Sequence, residues 1–429
     1  MAENRSNLTE TAFKAVTGDG AAKQGAPEGE AGNFFRHVLS LAMTKSGDGL
    51  IDPKLVLSWL LTNAGVPSVL IGLLVPIREA GALLPQIVIS NRIMAWQRRK
   101  WAWAGGSVVQ GLAVAAILGA ALLMSGWPLG LAVCAALAVF AVARSFCSVS
   151  YKDVLGRTVA KSRRGTAAGL GASVASAGVI AFGAVLLSGV AERALVVHLA
   201  LALAALLWLG AGAVFAGMNE PRAEPEAPRP NPFRQFGVLR EDRQLLRFVL
   251  VRGCLVATAL APPYLILMAS DQGESGFRHL GLLLFSSALA SLISSYAWGR
   301  FADISSRRVL IAAGVIAGVV LSAAALAGWA GVVGTLWVLP ALMFALMVAY
   351  HGVRNARSTY LVDMAPEDRR ATYTAVANTA IGLILFGGGV FGLIASALGT
   401  VVVVAGFAVL SFAGAALAWG LGEVETCAG

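Results

Sequence analysis

The stretch LAMTKSGDGLIDPKLVLSWLLTNAGVPSVLIGLLV, residues 41–75, holds two apolar runs interrupted by Lys45, Asp48, Asp52, Pro53 and Lys54. It divides in two ways. Residues 55–75 form one greasy helix and 41–54 a polar surface segment, or 38–62 and 67–90 form two helices with charges near the middle of the first. The readings differ by one membrane crossing, and therefore in the side on which the chain ends.

Composition puts the chain in lipid. Apolar residues make up 57% of the 429 and charged residues 13%, about half the charged share of an ordinary soluble domain. A helix needs about 20 mostly apolar residues to cross the hydrocarbon core. On that scale spans are expected at 38–62, 67–90, 101–125, 128–146, 165–188 and 194–216, then at 246–269, 279–299, 309–329, 333–351, 372–396 and 400–421. The basic residues fall on alternate connections: NRIMAWQRRK (91–100), YKDVLGRTVAKSRR (151–164), GRFADISSRR (299–308) and RNARSTYLVDMAPEDRR (354–370). The opposite loops carry only Arg193 and Arg278. The positive-inside rule then puts both termini in the cytoplasm, which needs an even number of spans. Most of the net charge of +10 is thus a topology signal, with anionic lipid as its partner and no nucleic acid expected.

An internal repeat favours the two-helix division of 41–75. At an offset of 209, Pro53 falls on Pro262 and IGLL (71–74) on LGLL (280–283). At 208, Arg92 falls on Arg300 and Gly106 on Gly314; at 206, Leu155 falls on Leu361 and Arg163-Arg164 on Arg369-Arg370. Matches in order along the chain, with a small drift, are what loop insertions leave. The expected architecture is an all-α integral membrane protein of twelve helices in two pseudo-symmetric six-helix bundles. Its parts are a disordered cytoplasmic tail (1–35), a first bundle (36–216), a cytoplasmic linker (217–244), a second bundle (245–421) and a C-terminal tail (422–429). No cleavable signal peptide is visible in the polar first 33 residues.

Six plus six helices, a polar central connection and basic turns resemble the major facilitator superfamily. The motif carrying the resemblance is GRFADISSRR, where Gly299, Ala302, Asp303, Arg307 and Arg308 fit the family pattern while Ile304 and Ser306 depart from it. The first-half turn NRIMAWQRRK keeps the basic run without the acid. The resemblance implies a secondary transporter working by alternating access, with helices 1 and 7 along a central cavity. It also implies a cytoplasmic gate at Gly299, Asp303, Arg307 and Arg308. In physical terms, Gly299 lets helix ends approach, and Asp303 accepts hydrogen bonds from amides or from arginines such as Arg354 or Arg357.

The charges in the first helices answer to the same cavity. With helix 1 centred near residue 50, Asp48 and Asp52 lie about 3 Å from the midplane and Lys45 about 7 Å to the cytoplasmic side. Lys45, Asp48 and Asp52 share one helical face and Lys54 points nearly opposite, while Gly47, Gly49 and Pro53 are expected to kink or break the helix there. Arg78 and Glu79 reach the same depth on helix 2, and Arg252 a similar depth on helix 7. At about 2.5–3.5 kcal/mol each, the seven charges cost on the order of 20 kcal/mol unpaired, so they must face inward. Asp48, Asp52 and Glu79 are candidate proton carriers for coupling. A buried ion-pair network that only locks helix 1 to helix 2 is the competing account.

Other signals carry less. Cys134, Cys147, Cys254 and Cys427 have no ligand spacing, and His37, His198, His279 and His351 are scattered, so neither metal nor cofactor is expected. No nucleophile-and-base set suggests an enzyme. The expected function is a secondary transporter, monomeric, for a small solute in a bacterial cytoplasmic membrane. Its rival is a non-transporting binding or assembly factor or sensor, handling pigment or lipid on the same fold.

Overall fold

The computed structural model describes residues 9–15, 29–160, 163–188, 192–222, 224, 236–271, 279–333, 335, 337–366 and 369–424. Among these every regular element is helical. A short α1 (9–15) is followed by α2 (Glu30–Leu50), α3 (Val56–Asn63), α4 (Ser68–Leu83), α5 (Gln86–Ile93) and α6 (Lys100–Leu123). Then come α7 (Gly126–Thr158), α8 (Arg164–Ser188) and α9 (Arg193–Ala216). After the linker stand α10 (Val238–Glu241), α11 (Arg243–Leu255), α12 (Ala257–Asp271) and α13 (His279–Trp329). The chain finishes with α14 (Val338–Met364), α15 (Arg370–Gly387), α16 (Val390–Leu398) and α17 (Thr400–Ala418).

The stretch 41–75 follows the two-helix division, with the expected break in its first helix. It makes α2, a break, α3 and the start of α4, and the break has a local cause. Pro53 lacks an amide proton and cannot continue α2. The Asp52 carbonyl instead accepts the amides of Leu55, Val56 and Leu57, which starts α3. Comparable interruptions fall at Pro85 and at the Gly388-Gly389 pair. α13 is 51 residues long and contains one extended residue, Ser305 (φ −162°, ψ 99°), where two helices meet at a kink.

Among the described residues nine helical stretches are long and apolar enough to cross a membrane. The stretches that fall short, α2 with α3, the start of α13, and α14, include those with Lys45, Asp48, Arg354 and Arg357 in their middles or ends. Leu123, Leu206, Leu292, Val409 and Trp329 point outward from the bundle. Apolar side chains exposed on this scale fit a lipid surround.

The two halves repeat each other in packing. Gly111 and Gly212 bring α6 onto α9 so closely that an added Cβ would stand 2.9 Å from the Ala205 carbonyl and 3.0 Å from that of Ala104. Gly314 and Gly318 do the same for α13 against α17, facing Ala415 and Phe412. Near the start of α4 the halves themselves close: a Cβ on Gly72 would meet the Tyr264 hydroxyl at 2.5 Å and the Gly392 Cα at 2.7 Å. Small residues are what allow such approaches.

Three expected boundaries move. α7 and α14 extend to Thr158 and Met364 rather than ending at 146 and 351, because their polar last turns remain helical beyond the apolar stretch. The tail expected to be unstructured to residue 35 includes α1 and the first turn of α2. Phe13 of α1 stacks edge-on to Phe34 at 5.2 Å, under the Arg163 guanidinium. Glu30, only 6% exposed, accepts the Ala160 amide and pairs with Arg163 at 2.9 Å. The remaining tail residues, most of the linker and 425–429 lie outside the described residues.

Candidate functional site

Asp48, in the last turn of α2, is the hub of the first-half charges. Its Oδ1 accepts Arg78 Nη2 from α4 at 2.8 Å, and its two oxygens accept Arg144 Nη1 from α7 at 2.8 and 2.6 Å. One carboxylate thus holds three helices, and the Arg78 guanidinium also lies 4.9 Å from the Phe140 ring centroid. Arg144 was not among the expected site residues. A span drawn at 128–146 puts it at a membrane edge, where an arginine reads as a topology signal; the 33-residue α7 puts it well inside the helix. An arginine within the apolar run AVFAVARSFC was the available clue.

The shared face expected for Lys45, Asp48 and Asp52 does not form, because α2 ends at Leu50. Asp52 serves the break: its Oδ1 accepts the Lys54 amide at 2.7 Å. Lys54 does point away from Asp48, and it crosses to the other half. Its Nζ stands 3.7 Å from the centroid of the Tyr350 ring on α14. Lys45 is exposed.

Glu79 lies one residue from Arg78 and does not share its partner. Among the described residues it forms no ion pair. It lines a cleft of about 30 Å³ between the halves, together with Arg252, Thr258, Tyr350, Arg354 and Arg357. That volume holds about two waters. Arg252 is 6% exposed; its Nη1 and Nη2 reach only long contacts of 3.4 and 3.3 Å to Asn378 Oδ1, and its Nε has no hydrogen-bond partner. Arg354 and Arg357 line the same cleft as Glu79.

The residues expected to form the cytoplasmic gate have a partner that the sequence did not indicate. Arg307 Nη2 pairs with Glu423 at 2.9 Å, its Nη1 donates to the Leu421 carbonyl at 3.1 Å, and Ser305 Oγ donates to Glu423 Oε2 at 2.7 Å. Arg308, largely exposed, is 3.7 Å from the same carboxylate. Gly299 has open space where a Cβ would go, so it mediates no close helix approach in this conformation. The Asp303 side chain lies outside the described residues.

The first-half turn, which lacks its own acid, borrows two. Arg99, 1% exposed, pairs with Asp153 at 2.7 Å. Glu220, just past α9, accepts the Arg99 and Lys100 amides at 3.0 and 2.8 Å and so caps α6. Glu220 and Glu423 thus hold equivalent positions, each following the last helix of its half and bonded to that half's basic turn. Among the described residues no His, Cys, Asp and Glu cluster could hold a metal ion.

Comparison with known proteins places the fold. No protein-family model matches the chain, and no curated protein matches it in sequence. Solved structures do match. A point mutant of the nucleoside transporter NupG superposes with a TM-score of 0.70 at 13% identity, over 90% of this chain and 99% of that one. A point mutant of the peptide transporter POT superposes with a TM-score of 0.68 at 11% identity, over 96% of this chain and 97% of that one. Both cover nine tenths or more of this chain. The chain has the fold of the major facilitator transporters.

Proposed function

We propose that the protein is a secondary active transporter that moves a small solute across a bacterial cytoplasmic membrane by alternating access. Taking α2 with α3, α4 with α5, α11 with α12 and α15 with α16 as single broken spans, and α13 as two, gives twelve crossings with both termini cytoplasmic. The observation that carries the reading is Glu79. A carboxylate without an ion pair faces three arginines across the line between two six-helix bundles, at the depth where transporters of this build hold substrate. Asp48 is committed to two arginines and Asp52 to a helix break, which leaves Glu79 as the carboxylate available to gain and lose a proton. Near Gly72 the halves are shut, while Lys45 and Arg354, towards the basic turns, are exposed; this supports an inward-facing conformation.

The test uses purified wild type and Glu79→Gln in proteoliposomes, with uptake measured with and without a pH gradient. Flux that the gradient accelerates in the wild type, and leaves unchanged in the variant at equal melting temperature, is the expected result. Equal gradient response in both removes Glu79 from the coupling role. Folded wild type without flux for any solute that binds it favours the non-transporting binding factor, for which Asp48's three-helix clasp would be purely structural.

A further inference from the structure

The cleft between the halves is electrostatically one-sided. Arg252, Arg354 and Arg357 enter it from the second half, and Glu79 is the acid among the residues that line it. Neither Arg354 nor Arg357 makes an ion pair among the described residues, so these two are not held there by protein carboxylates. Arg252 is nearly fully buried, with its Nε unpartnered and its guanidinium reaching a neutral amide by long contacts and the Phe248 ring at 5.6 Å, neither of them an acid. The first half does not redress the balance. Asp48 offers one negative charge to two arginines, and Asp52 does no more than offset Lys54, whose ammonium sits on the Tyr350 ring with Asp52 and Glu79 as its acidic neighbours.

A buried cation without a countercharge, as Arg252 is, is costly at membrane depth, and arginine is chosen where carboxylate or phosphate is to be gripped by two parallel hydrogen bonds. On the reading of this cleft as a transport site, we infer that its substrate is an organic anion carrying at least two negative charges, a dicarboxylate or phosphate ester, gripped by Arg252, Arg354 and Arg357. The grip forms once the halves part to widen the cleft beyond the about 30 Å³ it has here. The missing countercharge is the substrate's own. Nucleosides are neutral and peptides zwitterionic, so this assignment separates the chain from both of the transporters whose fold it shares. Glu79 opposes the anion when ionised and ceases to when protonated, which ties anion binding to proton uptake at the same cleft.

The experiment measures melting temperature of the full-length protein in lipid nanodiscs against succinate, citrate, glucose 6-phosphate and inorganic phosphate. Uridine, dialanine and tetraphenylphosphonium serve as neutral, zwitterionic and cationic probes. Compounds that shift the melting curve go into proteoliposome counterflow. The expected result is stabilisation by multiply charged anions, with the carboxylate and phosphate arms saying which acid group the arginines prefer. Arg357→Gln should raise the half-saturating concentration at least tenfold, Arg357→Lys less, and Glu79→Gln should lower it. If Arg357→Gln does not fold, Arg354→Gln takes its place.

Anion stabilisation unchanged in the arginine variants is a general salt effect and overturns the inference. So does a response confined to uridine, dialanine or tetraphenylphosphonium, although counterflow of any of these would still uphold transport. Silence across all probes from folded protein also overturns it. Saturable, arginine-dependent anion binding without counterflow upholds the anion assignment and defeats the transport reading.

Discussion

In the first half, one carboxylate, Asp48, satisfies arginines from two other helices at 2.8 Å or less. In the second half, Arg252, Arg354 and Arg357 stand around a cleft with no acid from their own bundle among its lining residues. The same residue type does different work on the two sides. A paired intramembrane arginine is part of the frame, and its loss is felt in stability. On the proposed reading, an unpaired one contributes little to the frame, and its loss is felt in binding.

That contrast breaks first at Asp48. Asp48→Ala strands Arg78 and Arg144 without countercharge, and a drop on the order of 3 kcal/mol in unfolding free energy is expected, read as a large fall in melting temperature. A variant that melts like wild type would put the frame elsewhere. Next is the closed end of the interface. Gly72→Val pushes a branched side chain against the Gly392 backbone, costing about 1–3 kcal/mol if the halves stay shut. The expected relief is separation at that end, detected as faster thiol labelling of a cysteine placed at Ser68.

A smaller effect tests the two basic turns against each other. Glu220→Ala removes the acceptor of two buried amides at the start of α6 and should cost about 1–2 kcal/mol. Glu423→Ala removes a quarter-exposed pair and should cost less than about 1 kcal/mol. Equal losses would mean that the turns are equivalent in energy as well as in position. The smallest change in stability is expected for Arg357→Gln, within about 0.5 kcal/mol of wild type, since no protein partner is lost. A marked destabilisation there would make Arg357 part of the frame and erase the contrast.

The helices and their repeat were legible because hydropathy, positive loops and glycine positions are local signals that lipid makes strict. Pro53 and the charges around it correctly marked a broken helix. What the sequence could not give was partnership. Asp48 and Arg144 are far apart in the chain, and nothing at either position says that they touch. One cause hides Arg144, Arg354 and Arg357 alike: drawing spans by apolar length ends a helix where its charges begin. α7 and α14 continue through theirs. Glu220 and Glu423 were hidden in segments that look like linker and tail, where an acid ordinarily means only solubility.

The break after α2 has a mechanical consequence. Asp48 fastens α2 to α4 and α7 within the first half, while α3, besides packing on α4, α7 and α9 of its own half, reaches α12 of the second. Only residues 49–55 lie between the two attachments. If both hold while one bundle tilts against the other, the rotation must be taken up in the backbone torsions of those few residues. Helix 1 would then act as a jointed strut, with Pro53 and the Asp52 hydrogen bonds as its pivot.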